Sequence, residues 1–473
     1  LNLNKNFILA LLSLALAGCV SYSPHPVDPV QSAAQWETRS LDSAPLHEFL
    51  TNHLRQPPLT WPLASWNLEQ LTAAAFLYNP TLEVARAQWH GAEAAQQSAG
   101  ERPNPTLSLA PGYDFTATSL GANPWLPGGT LDVPIETMGK RGYRKAQARA
   151  EVESSRLALT QAAWHVYAQV RENLLSYKVS AQRRELLERQ NTNQKKLVDS
   201  MKKRQEAGAV GSSEVTLVQV AWHKTELDLM DAIRQQTDAL HSLANGIGLP
   251  AAALQKVQMD FDPDSVPKLS DDLSLLALRD SGLRHRSDIQ GALADYAASE
   301  AALQLQIAKQ YPDVHLAPNY QYNQGDHQFL LGISAELPIF NQNQGPIAEA
   351  KSKRDEMAAR FYETQTHAIG EIEHAFESYQ QSLAGNSSLQ SLADSQKQQA
   401  AAVRAQSQAG AADALDLLNA EVEIVSGELL RLDAQWKLQQ AFGALENAVQ
   451  SPIEWVDAGA IEKFQKSRKE KKP

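Results

Sequence analysis

Proline places the strongest constraint on what this chain can fold into. None occurs between Pro134 and Pro250, and none between Pro346 and Pro452, in a chain holding 23 prolines. Proline lacks a backbone donor and clashes with the preceding turn, so helix interiors expel it. Two proline-free runs, each longer than about 100 residues, therefore read as two long helical hairpins. Each has one central breaker: Glu206-Ala-Gly-Ala-Val-Gly-Ser-Ser213 in the first and Gln408-Ala-Gly-Ala-Ala-Asp413 in the second. A Gly that ends one helix, followed by Ser or Asp to open the next, is the expected punctuation. Pro346 suits the first turn of its helix.

The long limbs, ~139–207 and ~346–409, would each run about 95–105 Å at 1.5 Å per residue, too long for a compact domain. Shorter limbs are expected at ~67–101, ~212–248, ~286–310 and ~413–449. Stacked end to end, they would match the long helix beside them. Val215, Val218, Trp222, Thr225, Leu229 and Ala232 step by alternating threes and fours. So do Leu418, Val422, Val425, Leu429, Leu432 and Trp436. This is the seam of helices packed side by side, although an ordinary amphipathic bundle shares it.

The two halves are copies. PNPTLSLAPGY at 103–113 is echoed by QYPDVHLAPNY at 310–320, with Pro105 falling on Pro312 and Tyr113 on Tyr320. Farther on, Pro134-Ile135 meets Pro338-Ile339, and Gly208-Ala209 meets Gly410-Ala411. The offset drifts by a few residues, as short indels in loops or solvated helix would produce. The repeats span 67–250 and 274–452, a period too long for a solenoid.

The echo itself alternates with period two. Strands are expected at ~104–116, ~129–137, ~313–323 and ~327–338. Val314, Leu316, Pro318, Tyr320 and Tyr322 would share one face, as would Phe329, Leu331, Ile333, Ala335 and Leu337. Each strand is about as long as a tilted strand crossing a bilayer. Soluble hairpins capping a helical bundle would show the same alternation. Four strands close no barrel, and lipid tolerates no open edge, so a membrane reading requires several copies. A symmetric trimer would supply twelve strands and close the helices into a hollow cylinder. The expected fold is thus mainly α, with long antiparallel coiled-coil helices, a membrane β-barrel portion and an internal two-fold repeat.

Residues 1–18 carry Lys5 and a short apolar run before Leu16-Ala17-Gly18-Cys19, the lone cysteine. The run is too short to span a bilayer and reads as a signal peptide. Residues 19–66 are expected to wrap the outside in an extended form. Residues 453–473 form a tail with a basic end. The net charge of −11 disfavours nucleic acid. No phosphate loop or catalytic constellation is evident. The 12 His and five Met form no ligand pattern. No enzyme activity, cofactor or metal site is expected.

Together these features resemble the TolC family of outer-membrane channel proteins. The resemblance rests on the two repeats, Asn79-Pro80-Thr81-Leu82, the strand ends Val133-Pro134-Ile135 and Leu337-Pro338-Ile339-Phe340, and the breaker from Ala409 to Ala420. Pro134–Arg141 is similar to the Gly-Lys-Arg segment of the heavy-metal-efflux branch. Leu16–Cys19 resembles a lipobox, which implies lipidation of Cys19 and an outer-membrane address. The family further implies a homotrimeric exit duct of a tripartite efflux or type I secretion system, served by a periplasmic adaptor and an inner-membrane transporter, that passively conducts metal ions, drugs or polypeptides. A lipid-anchored helical scaffold without a pore is the alternative. Tip and adaptor-docking functions would fall on Glu206, Gly208, Gly211, Glu214, Gly410, Asp413 and Asp416. Their carboxylates stand either as charged rings in a trimer or as plain helix caps. The membrane faces would be Val314, Leu316, Tyr320, Tyr322, Phe329, Leu331 and Ile333. The tyrosines serve either an interfacial belt or packing within the strand layer.

Overall fold

The structure is a computed structural model describing residues 22–54, 60–116, 123–265 and 274–451. Two helices dominate it: α5 (Lys140–Glu206) and α9 (Gln344–Gln408), of 67 and 65 residues. At 1.5 Å per residue each spans about 100 Å. Each folds back through a tight turn onto a shorter helix, α6 (Ser212–Ile247) or α10 (Ala414–Val449). Above α6 and α10 the short limbs continue as α3 (Leu68–Tyr78) with α4 (Pro80–Ala99), and as α7 (Leu275–His285) with α8 (Ser287–Ala308).

Each upper limb is two helices where sequence reading expected one, at ~67–101 and ~286–310. The first break is at Asn79, whose backbone is extended (φ −68°, ψ 122°) because the following Pro80 disfavours helical geometry there. Asn79 turns the break to use. It caps α4 through Thr81 N (2.9 Å) and donates to Gly246 O in the last turn of α6 (2.8 Å). In the second repeat Arg286 takes this place without a proline (φ −61°, ψ 128°) and donates to Ala448 O in the last turn of α10 (2.7 Å).

The duplication is written in the backbone as well. Left-handed conformations recur in pairs 202 to 204 residues apart: Gly139 with Asn343, Gly208 with Gly410, and Gly248 with Gln450. Each pair marks the same event, a helix start, a hairpin turn or a helix end. The predicted seams face inward. Val215, Thr225, Ala232, Val425 and Leu432 are buried, and the other seven seam residues half-buried.

Residues 19–66 do not follow their expected extended path where they are described. They form α1 (Pro29–Glu37), α2 (Ala44–His53) and the short strand β1 (Ser65–Asn67). Asp28 and Ser43 cap the helices, and Pro29 and Pro45 fall in first turns, where proline is favoured. Leu41, Leu46 and Leu50 enter a core with Trp66, Leu71, Val170, Leu174 and Ile247. Arg39 donates to Tyr78 O and Gly248 O (2.9 and 3.0 Å), joining the ends of α3 and α6. β1 pairs in parallel with β6 (Gln258–Asp260). The second repeat has its own core, with Ile372, Tyr379, Leu438, Phe442 and Leu445.

The remaining strands cap the helices. β2 (Thr106–Leu109), β5 (Gly128–Ile135), β7 (Val314–Asn323) and β8 (Asp326–Ala335) form an antiparallel sheet in the order β2-β5-β7-β8. The strand expected over ~104–116 breaks after Leu109, and β3 (Gly112–Tyr113) pairs instead with β4 (Trp125–Leu126). Pro111, lacking a donor, stands at the break.

Candidate functional site

Two regions concentrate unusual chemistry: the hairpin turns at one end and the sheet at the other. At the turns, Gly208 (φ 71°) and Gly410 (φ 74°) adopt left-handed geometry that side chains resist. Gly211 N donates to Glu214 Oε1 (3.3 Å) at the start of α6. Asp413 caps α10, accepting from Leu415 N (2.7 Å) and Asp416 N (2.9 Å), while its own N donates to Asp416 Oδ2 (3.0 Å). This is a reciprocal capping box, with an aspartate in the position usually held by Glu or Gln. Arg204, near the end of α5, donates to Asp413 Oδ2 at 2.6 Å. The Asp416 backbone N–H, then Arg204, hold the Asp413 carboxyl below its ordinary range. Asp413 is therefore both a helix cap and the tie between the two hairpins. Glu206 is exposed.

That tie is the last rung of a ladder. Arg183 pairs with Asp433, Arg189 with Glu428 and Gln190 with Ser426 above it. In all four pairs the residue numbers sum to 616 or 617, a single antiparallel register. α5 supplies the guanidinium groups and α10 the carboxylates, so polar rungs run along the seam between hairpins beside an apolar contact of Leu175 and Val179 with Leu432. A groove of about 370 Å³ opens between α9 and α10 over the turn, lined by Gln396, Ala400, Val403, Ala412, Asp416 and Glu423 among others.

The sheet has two chemically distinct faces, fixed by its register. Leu107 opposes Leu131, Leu316 opposes Val133 and Ile333, Pro318 opposes Leu331, and Tyr320 opposes Phe329. All seven residues expected on the membrane face, Val314, Leu316, Tyr320, Tyr322, Phe329, Leu331 and Ile333, lie on this side. Phe329 is 80% exposed and Ile333 68%. The reverse face carries Thr130 bonded to Asn319 (2.6 Å), and Gln321 opposite Gln328. Asp132 lies there 3.0 Å from His315. At the loop end Tyr113 meets Phe115 and Trp125 edge to face (5.0 and 5.1 Å).

Sequence reading did not single out Arg204, Arg39 or Arg286. Each acts over a long sequence separation and sits in no local motif. Cys19 lies outside the described residues. Among the described residues, no group of three or more His, Cys, Asp or Glu could hold a metal ion, and no helix is long and apolar enough to cross a membrane.

A sheet with one exposed apolar face, raised on helical hairpins built twice, defines the outer membrane efflux protein family. The profile of that family matches residues 71–249 and 278–449, and the chain belongs to it. Its members are the outer membrane channels of tripartite efflux systems and are not enzymes. The cobalt-zinc-cadmium resistance protein CzcC of Cupriavidus metallidurans is 24% identical over 293 residues, 61% of this chain and 66% of that protein. The CmeC outer membrane channel of Campylobacter jejuni superposes with a TM-score of 0.67 at 15% identity, covering 95% of this chain and 97% of that one. The outer membrane protein VceC of Vibrio cholerae gives 0.65 at 20% identity, covering 82% and 97%. These two show the fold.

Proposed function

We propose that this chain is the passive exit duct of a tripartite efflux system. It works as a homotrimer, is lipid-anchored at Cys19 in the outer membrane, and takes cargo from a periplasmic adaptor and an inner-membrane transporter. The observation that carries this reading is the sheet: two ten-residue strands, β7 and β8, beside the shorter β5 and β2, with one exposed apolar face and edges at β2 and β8, mounted on helices about 100 Å long. Ten residues suffice to cross lipid when tilted, but unpaired edges cannot stand in it. Three copies give twelve strands, an even number within the range of known barrels. The face bearing Asp132, His315 and Asn319 then lines the conduit.

The cargo we propose is divalent metal cations. The similarity to CzcC and the Gly139-Lys140-Arg141 segment support this. Carboxylates at the tip, present three times, favour cation entry. The Arg204–Asp413 tie holds the two hairpins together there. The groove between α9 and α10 is the docking place proposed for the adaptor.

The test is planar-bilayer conductance of the purified Cys19→Ser protein under a potassium chloride gradient. Discrete, cation-preferring steps are expected. Silence from a protein that is water-soluble and monomeric would refute the channel and leave a lipid-anchored scaffold.

A further inference from the structure

The joint between sheet and helices is built twice in each chain, and the two versions differ in charge and in cover. In the first version, the segment leaving β5 grips the segment entering β7. Thr137 N donates to Asp313 Oδ1 (2.9 Å) and Thr137 Oγ1 to Pro312 O (2.6 Å). Lys140 Nζ donates to Tyr311 O (2.7 Å) and Asp313 Oδ1 (2.8 Å), and its side chain is only 8% exposed. Glu136 pairs with Arg144, which also reaches Glu101 O. Arg141 Nε donates to Gly100 O behind α4 (2.6 Å). The Gly-Lys-Arg segment is thus a staple that joins the ends of α4 and α8 beneath the sheet.

In the second version every one of these charges is gone. Shifted by 204, the offset that pairs the left-handed Gly139 with the left-handed Asn343, Glu136 becomes Phe340. Lys140 becomes Gln344 and Arg144 becomes Ala348. Shifted back by 207, Asp313 becomes Thr106. The cover is gone too. Pro312 and Asp313 are half-buried, whereas residues 101–106 are exposed throughout. Phe340 is 100% exposed and Ile339 69%. The two uncovered halves flank the two ends of the sheet, β8 and β2.

We infer that residues 340–344 of one protomer pack against residues 104–106 of the next, repeating the in-chain joint around the ring as a neutral contact centred on Phe340. This rests on the trimeric reading above. The occupant is a second copy because the chain already shows the equivalent segments fitting each other. Lipid alone would not account for an open segment holding Glu101, Arg102 and Asn104. A head-to-tail contact of this kind closes into a ring when its rotation returns to the first copy, as a trimer requires. The loss of charge has a physical reason. A buried charge whose partner is absent is strongly destabilising, because it stays desolvated without compensation. The in-chain joint forms with both partners present. A joint that forms only on assembly would leave each free chain with unmatched charge at the membrane boundary.

The test is disulfide trapping in the Cys19→Ser chain. Asn341 and Thr106 are the repeat partners of Thr137 and Asp313, so Asn341→Cys with Thr106→Cys should fall within the roughly 4.4–6.8 Å Cα range a disulfide needs. Oxidation of the detergent-extracted protein should give covalent dimers and trimers only when both cysteines are present. Phe340→Ser should lower the temperature at which the oligomer dissociates, and Phe340→Leu should leave it nearly unchanged. A three-chain mass without covalent bands would overturn this joint while sparing the ring. A single-chain mass under the same conditions would sink the ring and this inference together.

Discussion

Replacing Arg286 by Met should be among the more costly single changes outside the sheet. The Arg286 side chain is 5% exposed. It donates to Asp288 Oδ1 and Oδ2 (3.0 and 2.6 Å), lies 2.8 Å from Glu371 Oε2, and reaches Ala448 O at 2.7 Å. Burial by itself would lower its pKa, but the bonds to Asp288 and Glu371 outweigh this and hold it above its ordinary value. Removing one member of a buried pair costs about 3–5 kcal/mol, because the other charge stays desolvated. Here that is Asp288, whose side chain is 16% exposed. Unfolding entropy of about 2.1 cal/mol/K per residue gives roughly 1 kcal/mol/K for a chain of this length. Arg286→Met should therefore lower the thermal midpoint by roughly 3–5 °C, at fixed protein and detergent concentrations. Arg286→Met with Asp288→Asn should recover more than half of that loss. A single variant within about 1 °C of wild type, or a double variant no better than the single, would refute the reasoning.

Other expectations follow from the same geometry. The Asp413 carboxyl is held below its ordinary value of 3.8, so its stabilising tie is present at neutral pH and lost as pH falls through the lowered value. Open-channel events should rise only as pH falls through that lowered value, and Asp413→Asn should raise them at pH 7; a flat pH profile in the wild type would count against the tie. Gly248→Ala would place a Cβ 2.5 Å from Tyr78 O at φ 91° and should cost about 1–3 kcal/mol in chemical denaturation. Gly208→Ala, with nothing within 4 Å, should cost less. Arg at Leu331 should block membrane insertion at about 2–4 kcal/mol per chain, whereas Arg at Gln328 on the reverse face should insert normally. Equal insertion of both variants would contradict the assignment of faces.

The long elements were legible because their signals are local and repeated. Proline exclusion together with Gly-Ser and Gly-Asp punctuation brought α5, α6, α9 and α10 within about two residues of their observed ends. Alternation anticipated β7 (Val314–Asn323), whereas β8 (Asp326–Ala335) stops three residues before the expected end at ~338. The N-terminal helices were missed although Asp28-Pro29 and Ser43-Ala44-Pro45 are helix-start signals. The break at Asn79 was equally available from Pro80, but the one at Arg286 was not, since no residue there forbids helix. Arg204, Lys140 and Arg39 reach carboxylates or carbonyls far off in sequence, and nothing local distinguishes such an arginine or lysine from a solvated one. Turn carboxylates had two readings, cap or charged ring. Asp413 is in fact a cap whose remaining oxygen ties the hairpins together.

The central claim is that three chains close one duct. Native mass spectrometry of the full-length, detergent-extracted protein tests it most directly. The account expects a three-chain species that survives dilution in detergent and falls to single chains on heating. A stable one-chain or two-chain species would contradict it, because the sheet edges at β2 and β8 would then stand unpaired in lipid.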